Sequence, residues 1–472
     1  MSDAASKEES WVSGSFRDYE SRVFTAGGQV FRSLSPAALA DYEVLAASRF
    51  FAEAQEAGTV VETELASGYV PPPECQPPAG FAAVLRHQRI PYLSWPFEWP
   101  FSMLKDAALL TLELIGSALE EGLILKDGTP YNVQWRGAAP VFIDVGSFER
   151  LSEGEPWFGY RQFCMQFLFP LMLQSYREVP YRTLLRGQLD GIAPEQMRNL
   201  LSLRDRFRRG VLTNVVLHAR LERRHSKRSA TAARDELKRA GFKPELITAN
   251  VDRLARLVRK LDWKPGESEW SAYREISTYG ERELSEKESF VEAAIASAAP
   301  KLVWDLGCND GRFSRIAARR GAYVVAIDGD EVAVDRLYRE LRSEGGERIL
   351  PLALDLVDPS PGMGWHGSER PGLTERGEPD LVLALALVHH LAIGANVPLA
   401  AVVDWLADLA PALVIEFPTR DDPMVARLLA RKREGAHPDY GLERFEALLT
   451  RRFAVVRREQ LGQRVLFEAQ RL

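Results

Sequence analysis

Cysteine is scarce in this chain: Cys75, Cys164 and Cys308 are the only three in 472 residues, far apart and without a C-x-x-C pair. That excludes a disulfide framework and a cysteine-based zinc site, and it fits a reducing, cytoplasmic setting. Long apolar runs are lacking too. The two most apolar stretches, Phe163 to Leu173 and Leu381 to Leu391, are too short to cross a bilayer, so no membrane span is expected. Nor does one sign of charge dominate, since 60 Lys and Arg stand against 66 Asp and Glu for a net charge of -6. Without a global positive field, nucleic acid is not expected as a partner. The start, Met1 to Ser10, is polar where a signal peptide would be basic and then apolar, and residues 1–14 read as a disordered tail.

What is present suits a globular protein, with 46% apolar and 27% charged residues, but the length exceeds what one ordinary core holds. Three regimes follow one another. Residues 15–200 mix short β-like and helical runs, rich in aromatics and proline, and read as an α+β domain. Residues 201–265 are basic and helical, with nine Lys or Arg against two acids between Arg204 and Arg228 and apolar Leu254, Leu257, Val258 and Leu261 at helical spacing. That stretch reads as a connector whose basic face is solvated or attracts an acidic group. Residues 266–472 alternate buried strands with amphipathic helices, the pattern of a doubly wound α/β sheet. Strands are expected at Leu302–Leu306, Tyr323–Ile327, Ile349–Leu354, Leu381–Leu385 and Leu413–Phe417.

The first of those strands runs into Asp305-Leu306-Gly307-Cys308-Asn309-Asp310-Gly311, and a helix is expected from Arg312 to Arg320. Glycine at such a turn lets the backbone approach a ligand without a Cβ in the way. One strand later Asp328 ends an apolar run 17 positions past Gly311, where a carboxylate can accept hydrogen bonds from both hydroxyls of a ribose. Asp355 ends the next run and can accept from an adenine amine. The fourth strand ends in His389-His390, at the carboxyl ends where open α/β sheets hold their ligands, and histidine suits deprotonation of a hydroxyl or amine. Glu416 ends the fifth strand, and Asp421 and Asp422 follow it as turn residues or substrate contacts.

The series resembles the class I S-adenosylmethionine-dependent methyltransferases, in which a D-x-G-x-x-x-G loop precedes an acidic second strand end and a polar third one. Asn309 replaces the family's usual middle glycine. The resemblance implies a Rossmann-like domain binding S-adenosyl-L-methionine, with Asp305, Gly307, Asn309 and Gly311 at its methionine part, Asp328 at its ribose and Asp355 at its adenine. It also implies a closing segment from Tyr273 to Lys287 that brings in Tyr279, and catalysis by His389, His390 or Glu416. No metal is implied.

The first regime carries a second signature. A helix expected from Met103 to Glu121 leads to Asp127 and Asn132 in a D-x-x-x-x-N spacing, and Asp144 follows 12 positions later in an apolar D-x-G strand. That spacing resembles the protein-kinase catalytic core, where such residues orient a hydroxyl and hold magnesium against ATP. A hairpin over Arg22–Arg32 and a helix over Ser35–Glu56 carrying Glu43 match a small lobe. The resemblance implies Mg-ATP at Asp127, Asn132 and Asp144. Against it, no histidine precedes Lys126-Asp127, and Arg32 stands near the place of the expected lysine. The whole chain is similar to bacterial methyltransferases related to nodulation and surface-glycan modification, through Lys126-Asp127-x-x-x-Tyr131-Asn132, Phe142-Ile143-Asp144-x-x-Ser147-Phe148-Glu149 and Asp421-Asp422-Pro423-Met424-Val425.

The leading expectation is a methyltransferase acting on a hydroxylated small molecule or saccharide, with the kinase-like domain helping to bind it. The alternatives are a bifunctional kinase and methyltransferase, and a non-enzymatic binding module with a vestigial cofactor fold.

Overall fold

The computed structural model describes residues 10–152, 154–217, 243–266 and 280–472. Tyr279, the basic stretch Arg220–Arg228 and most of the expected tail lie outside the described residues. The chain divides into two compact units. The first comprises residues 1–135, 140–264 and 363–370, the second residues 136–139, 265–362 and 371–472.

The first unit begins with an antiparallel sheet of β1 (Ser10–Trp11), β2 (Ser21–Ala26), β3 (Gln29–Leu34), β4 (Thr63–Leu65) and β5 (Ala83–His87), in the order β1-β2-β3-β5-β4. Ser10 and Trp11, inside the stretch read as a tail, pair with Thr25 and Phe24. The hairpin read over Arg22–Arg32 is β2–β3, with Val23 opposite Arg32. The helix read over Ser35–Glu56 is two, Pro36–Ala46 and Arg49–Glu56. Ser35 and Ser48 each cap one by accepting a backbone N–H, from Ala38 and Phe51, and the second cap breaks what hydrophobicity alone would run together.

A 20-residue helix, Phe101–Glu120, crosses the core of this unit with Met103, Leu104, Ala107, Ala108, Ile115 and Ala118 fully buried. Beyond it come β6 (Leu123–Leu125), β7 (Val133–Arg136), β8 (Ala139–Phe142) and β9 (Phe148–Arg150), paired β6–β9 and β7–β8. The apolar stripe of the expected connector buries Leu254, Leu257 and Val258 on the helix Pro244–Lys260, which belongs to this unit.

The second unit is a seven-stranded sheet of β10 (Leu302–Leu306), β11 (Tyr323–Asp328), β12 (Ile349–Ala353), β13 (Leu381–Ala384), β14 (Ala412–Pro418), β15 (Phe453–Leu461) and β16 (Arg464–Arg471). Its order is β12-β11-β10-β13-β14-β16-β15. The five read from sequence are parallel, and the sheet ends in an antiparallel hairpin that places β16 beside β14. That hairpin is not legible as an α/β repeat, because β15 alternates buried and exposed residues whereas the parallel strands are buried almost throughout. The order reverses at β10. The chain runs outward through β11 and β12 and returns as β13 on the other side of β10, which opens a crevice at the carboxyl ends of β10 and β13. Among the described residues no helix is long and apolar enough to cross a membrane.

Candidate active site at the strand ends of the second unit

β10 ends in Asp305-Leu306, and the loop from Gly307 to Gly311 turns into the helix Arg312–Arg319. Gly307, Asn309 and Gly311 all take left-handed backbone, with φ of 80°, 49° and 73°. At Gly311 a Cβ would also come within 2.6 Å of a Leu337 methyl, so its left-handed backbone is the firmer reason for glycine there. Asn309 tolerates the same conformation as a non-glycine residue.

Asp328, the last residue of β11, fixes this loop. Its Oδ2 accepts the Asn309 N–H at 2.9 Å, and its Oδ1 accepts the Asp330 N–H at 2.9 Å. The Gly307 and Cys308 N–H groups donate to the Ile327 carbonyl. Asp328 therefore shapes the cradle as well as standing at its rim, a role that spacing did not reveal. Asp305 is buried, and its Oδ2 accepts from Ser314 Oγ at 2.5 Å. Burial pushes its carboxyl up to about 6, with Ser314 pulling it back and Asp328 adding to the rise. Burial likewise raises Asp328 and pushes the Cys308 thiol up. Asp355 lies exposed just past β12, where its Oδ1 accepts the Val357 N–H at 2.9 Å.

Past β13 the chain reaches His389 and His390, whose rings lie 4.1 Å apart. A π-helical turn over His390–Gly394 follows, a form that recurs at functional sites. His389 is fully buried, and neither of its ring nitrogens has a hydrogen-bond partner among the described residues. Sequence reasoning expects a histidine titrating near neutrality, and the structure corrects this. Burial holds His389 well below its ordinary value, with His390, Arg464 and Lys287 adding to the effect, and burial with Arg464 lowers His390 to about 4. Both shifts favour the uncharged imidazole.

Glu416 is the second correction. It is fully buried and bonded to Lys287 rather than open to the crevice. Asp422 is buried too, capping the helix Pro423–Leu429 and pairing with Arg464 Nε at 2.7 Å, while Asp421 is exposed. Lys287, Arg464 and Ser314 were missed in the sequence. Lys287 had a signal, because it shares the buried stripe of the helix Glu281–Ala298 with Phe290, Val291 and Ala294. A charge on an apolar face is informative.

The residues present fit S-adenosylmethionine. The loop is pinned by backbone bonds, Gly311 takes a left-handed backbone that favours glycine, a cationic ligand would meet buried Asp305, and the His389 ring lacks hydrogen-bond partners among the described residues.

The first unit brings Asp127, Asn132 and Asp144 together at the turns around β6 and β8. The Asp127 N–H donates to Ser147 Oγ at 3.3 Å, and the Ile143 N–H donates to the Asn132 carbonyl at 2.8 Å. Burial raises the Asp127 carboxyl, and the Asp144 charge adds to that. Arg32 decides what the site can hold. Its guanidinium is buried, lies 2.7 Å from Asp144 Oδ1 and donates to Ser21 Oγ at 3.1 Å. The glycine of D-x-G makes room for it, since a Cβ on Gly146 would come within 2.8 Å of that guanidinium. Glu43 lies apart from this pair, in a groove with Glu121 and Arg150. A cation built into the fold thus pairs with Asp144, and among the described residues no cluster of three or more His, Cys, Asp or Glu suited to a metal occurs.

No family model matches the chain. It is 34% identical to the nodulation protein NoeA of Rhizobium meliloti (strain 1021) over 472 residues, covering 99% of this chain and 98% of that protein. It is 25% identical over 138 residues to the O-antigen chain terminator bifunctional methyltransferase/kinase WbdD of Escherichia coli, covering 29% of this chain and 18% of WbdD. Among solved structures, the N-methyltransferase NodS from Bradyrhizobium japonicum WM9 superposes with a TM-score of 0.31 at 15% identity, covering 40% of this chain and 97% of NodS.

Proposed function

The chain belongs to the family of the nodulation protein NoeA, and we propose on that footing that it methylates a hydroxylated small molecule or saccharide bound with the help of the first unit. It is an S-adenosylmethionine-dependent methyltransferase of class I. The observation that carries the acceptor reading is the neutral, fully buried His389 ring with no hydrogen-bond partner among the described residues at the carboxyl end of β13.

In this reading Asp305 and Gly307 border the methionine part of the cofactor, Asp328 its ribose and Asp355 its adenine. Bound S-adenosylmethionine supplies an electrophilic methyl group on a sulfonium. His389, seconded by His390, accepts the proton of the acceptor hydroxyl as the oxygen takes the methyl carbon. The carbon–sulfur bonding pair leaves with sulfur, and the imidazolium passes its proton to water.

Calorimetry tests the cofactor half. The chain binds S-adenosylmethionine and S-adenosylhomocysteine, and Asp328→Ala weakens both by about 100-fold, because charged hydrogen bonds and the pinned loop are lost together. The absence of heat with either compound would sink the reading. Methyl transfer from labelled cofactor to a lysate metabolite, lost in His389→Gln while cofactor affinity is kept, tests the acceptor half.

A further inference from the structure

The basic stretch that the sequence places from Arg204 onward has no part in the chemistry above, and residues 200–217 of the first unit give it a distinctive surface. Five of the nine exposed leucines and phenylalanines among the described residues fall there: Leu200, Leu203, Phe207, Leu212 and Leu217. Phe207 is 92% exposed, Leu203 69% and Leu212 54%. Arg204, Arg206 and Arg209 are interleaved with them and exposed, and their guanidinium groups have no hydrogen bond or ion pair among the described residues. The stretch holds one acid, Asp205, and that side chain is buried. Single apolar residues scattered over a surface are ordinary, whereas a run of them rimmed by cations marks a contact surface.

The exposure belongs to a fixed loop. Asp205 turns inward, where it accepts the Ser202 N–H at 2.8 Å and the Ser202 hydroxyl at 2.6 Å, and it pairs with Arg208 Nε at 3.1 Å. The Arg208 guanidinium lies over the Tyr176 ring, 4.9 Å from its centre, and the Tyr176 hydroxyl donates to the Arg209 carbonyl at 3.1 Å. Beyond the loop Val211 and Val215 are fully buried. Gly210 takes a left-handed backbone with φ of 78°, and a Cβ there would come within 2.4 Å of a Leu257 methyl on the helix Pro244–Lys260. These contacts fix the inner side of the loop and leave Leu203, Arg204, Arg206 and Phe207 outside it.

We infer that this loop is a docking surface for an anionic lipid bilayer, with Leu203 and Phe207 entering the headgroup boundary and Arg204, Arg206 and Arg209 meeting lipid phosphates. Apolar burial and attraction to anionic lipid add at such a contact, and this loop offers both. Charge argues against the other occupants. A second copy in a two-fold pair would set the same patch against itself, cation against cation. A nucleic acid or acidic polymer would engage the arginines and leave the leucines in water. The inference is independent of the methyltransferase reading, because vesicles are bound without cofactor or acceptor.

The test is sedimentation of the full chain with vesicles of phosphatidylcholine, alone or with about 30% phosphatidylglycerol. The expected result is binding at least about tenfold tighter to the anionic vesicles, weakening as salt rises. Arg204→Gln, Arg206→Gln and Arg209→Gln together loosen it by about 100-fold, and Leu203→Ser with Phe207→Ser by at least about tenfold at constant charge. All five side chains are exposed, so the melting temperature stays within about 2 °C. If the serine pair melts lower than that, Phe207→Cys carrying an environment-sensitive dye reads insertion directly, since Cys75, Cys164 and Cys308 are buried. Its emission shifts to the blue on anionic vesicles and is quenched by lipids brominated in their acyl chains. Equal affinity for the two vesicles, or none, would overturn the inference. Binding lost in the arginine variant while the serine pair and the dye change nothing marks a surface for any polyanion, and it overturns the inference too. So does self-association that the serine pair abolishes, which marks contact between copies.

Discussion

The two sites of this molecule are built from the same materials, carboxylates beside a glycine at the end of an apolar strand, and they differ in what stands next to those carboxylates. In the second unit Asp305 accepts from Ser314, Lys287 is held 2.8 Å from Glu416, and the unbonded His389 lies close by. In the first unit Asp144 is matched by the Arg32 guanidinium at 2.7 Å. One carboxylate is held by a hydroxyl, while the other has its cation built in. Motif spacing places the carboxylates, and the neighbour decides whether they are available.

Removing Asp144 is the sharpest way to break that comparison. If Arg32 is its permanent partner, Asp144→Ala leaves a buried guanidinium unpaired and destabilises the chain by about 2–3 kcal/mol in urea denaturation. A carboxylate held ready for magnesium would instead be neutral or stabilising to lose. In the same comparison Mg-ATP leaves the melting temperature unchanged while S-adenosylhomocysteine raises it; a magnesium-dependent rise would return the first unit to the kinases.

The second unit is tested by pH. With its carboxyl raised to about 6, Asp305 is ionised above that pH and neutral below it. The ionised form meets a sulfonium, so affinity for S-adenosylmethionine is full above pH 6 and falls by up to about tenfold per unit as pH drops through 6. In the ligand-free fold the sign is opposite. A carboxyl raised by burial stabilises the fold below its ordinary titration range, and this contribution is lost as pH rises through 6. Calorimetry across that range reads the first trend and thermal melting the second. A flat affinity profile would remove Asp305 from the cofactor's charge.

The smallest effect comes from Ser314→Ala. Losing one hydrogen bond to a charged group costs about 1.5 kcal/mol of stability, and it moves the pH midpoint of cofactor binding upward because Ser314 favours ionised Asp305. A midpoint that stays in place would mean that burial alone sets it.

Much of the second unit was legible because its signals are local. An apolar run, a tight glycine turn and an acid at the next strand end lie within a few dozen residues, and each follows from backbone geometry. The buried ion pairs were not legible. Lys287 and Glu416 are 129 positions apart, and the Arg464–Asp422 pair depends on an antiparallel hairpin that the alternating pattern did not announce. The histidines were found at the right strand end with the wrong basicity, since burial, not residue type, sets it. In the first unit Asp127, Asn132 and Asp144 were found by spacing, whereas the Arg32–Asp144 pair required β3 and the end of β8 to meet in space.

By itself, then, the amino-acid order determined the parallel strands, the glycine loop and the carboxylates at their ends, because periodicity and turn chemistry act over one or two turns of chain. Which carboxylates are free, which histidine is neutral and unbonded, and which charges hold others in place were decided only by tertiary structure. Burial and pairing are properties of what surrounds a side chain, and those surroundings come from distant parts of the sequence.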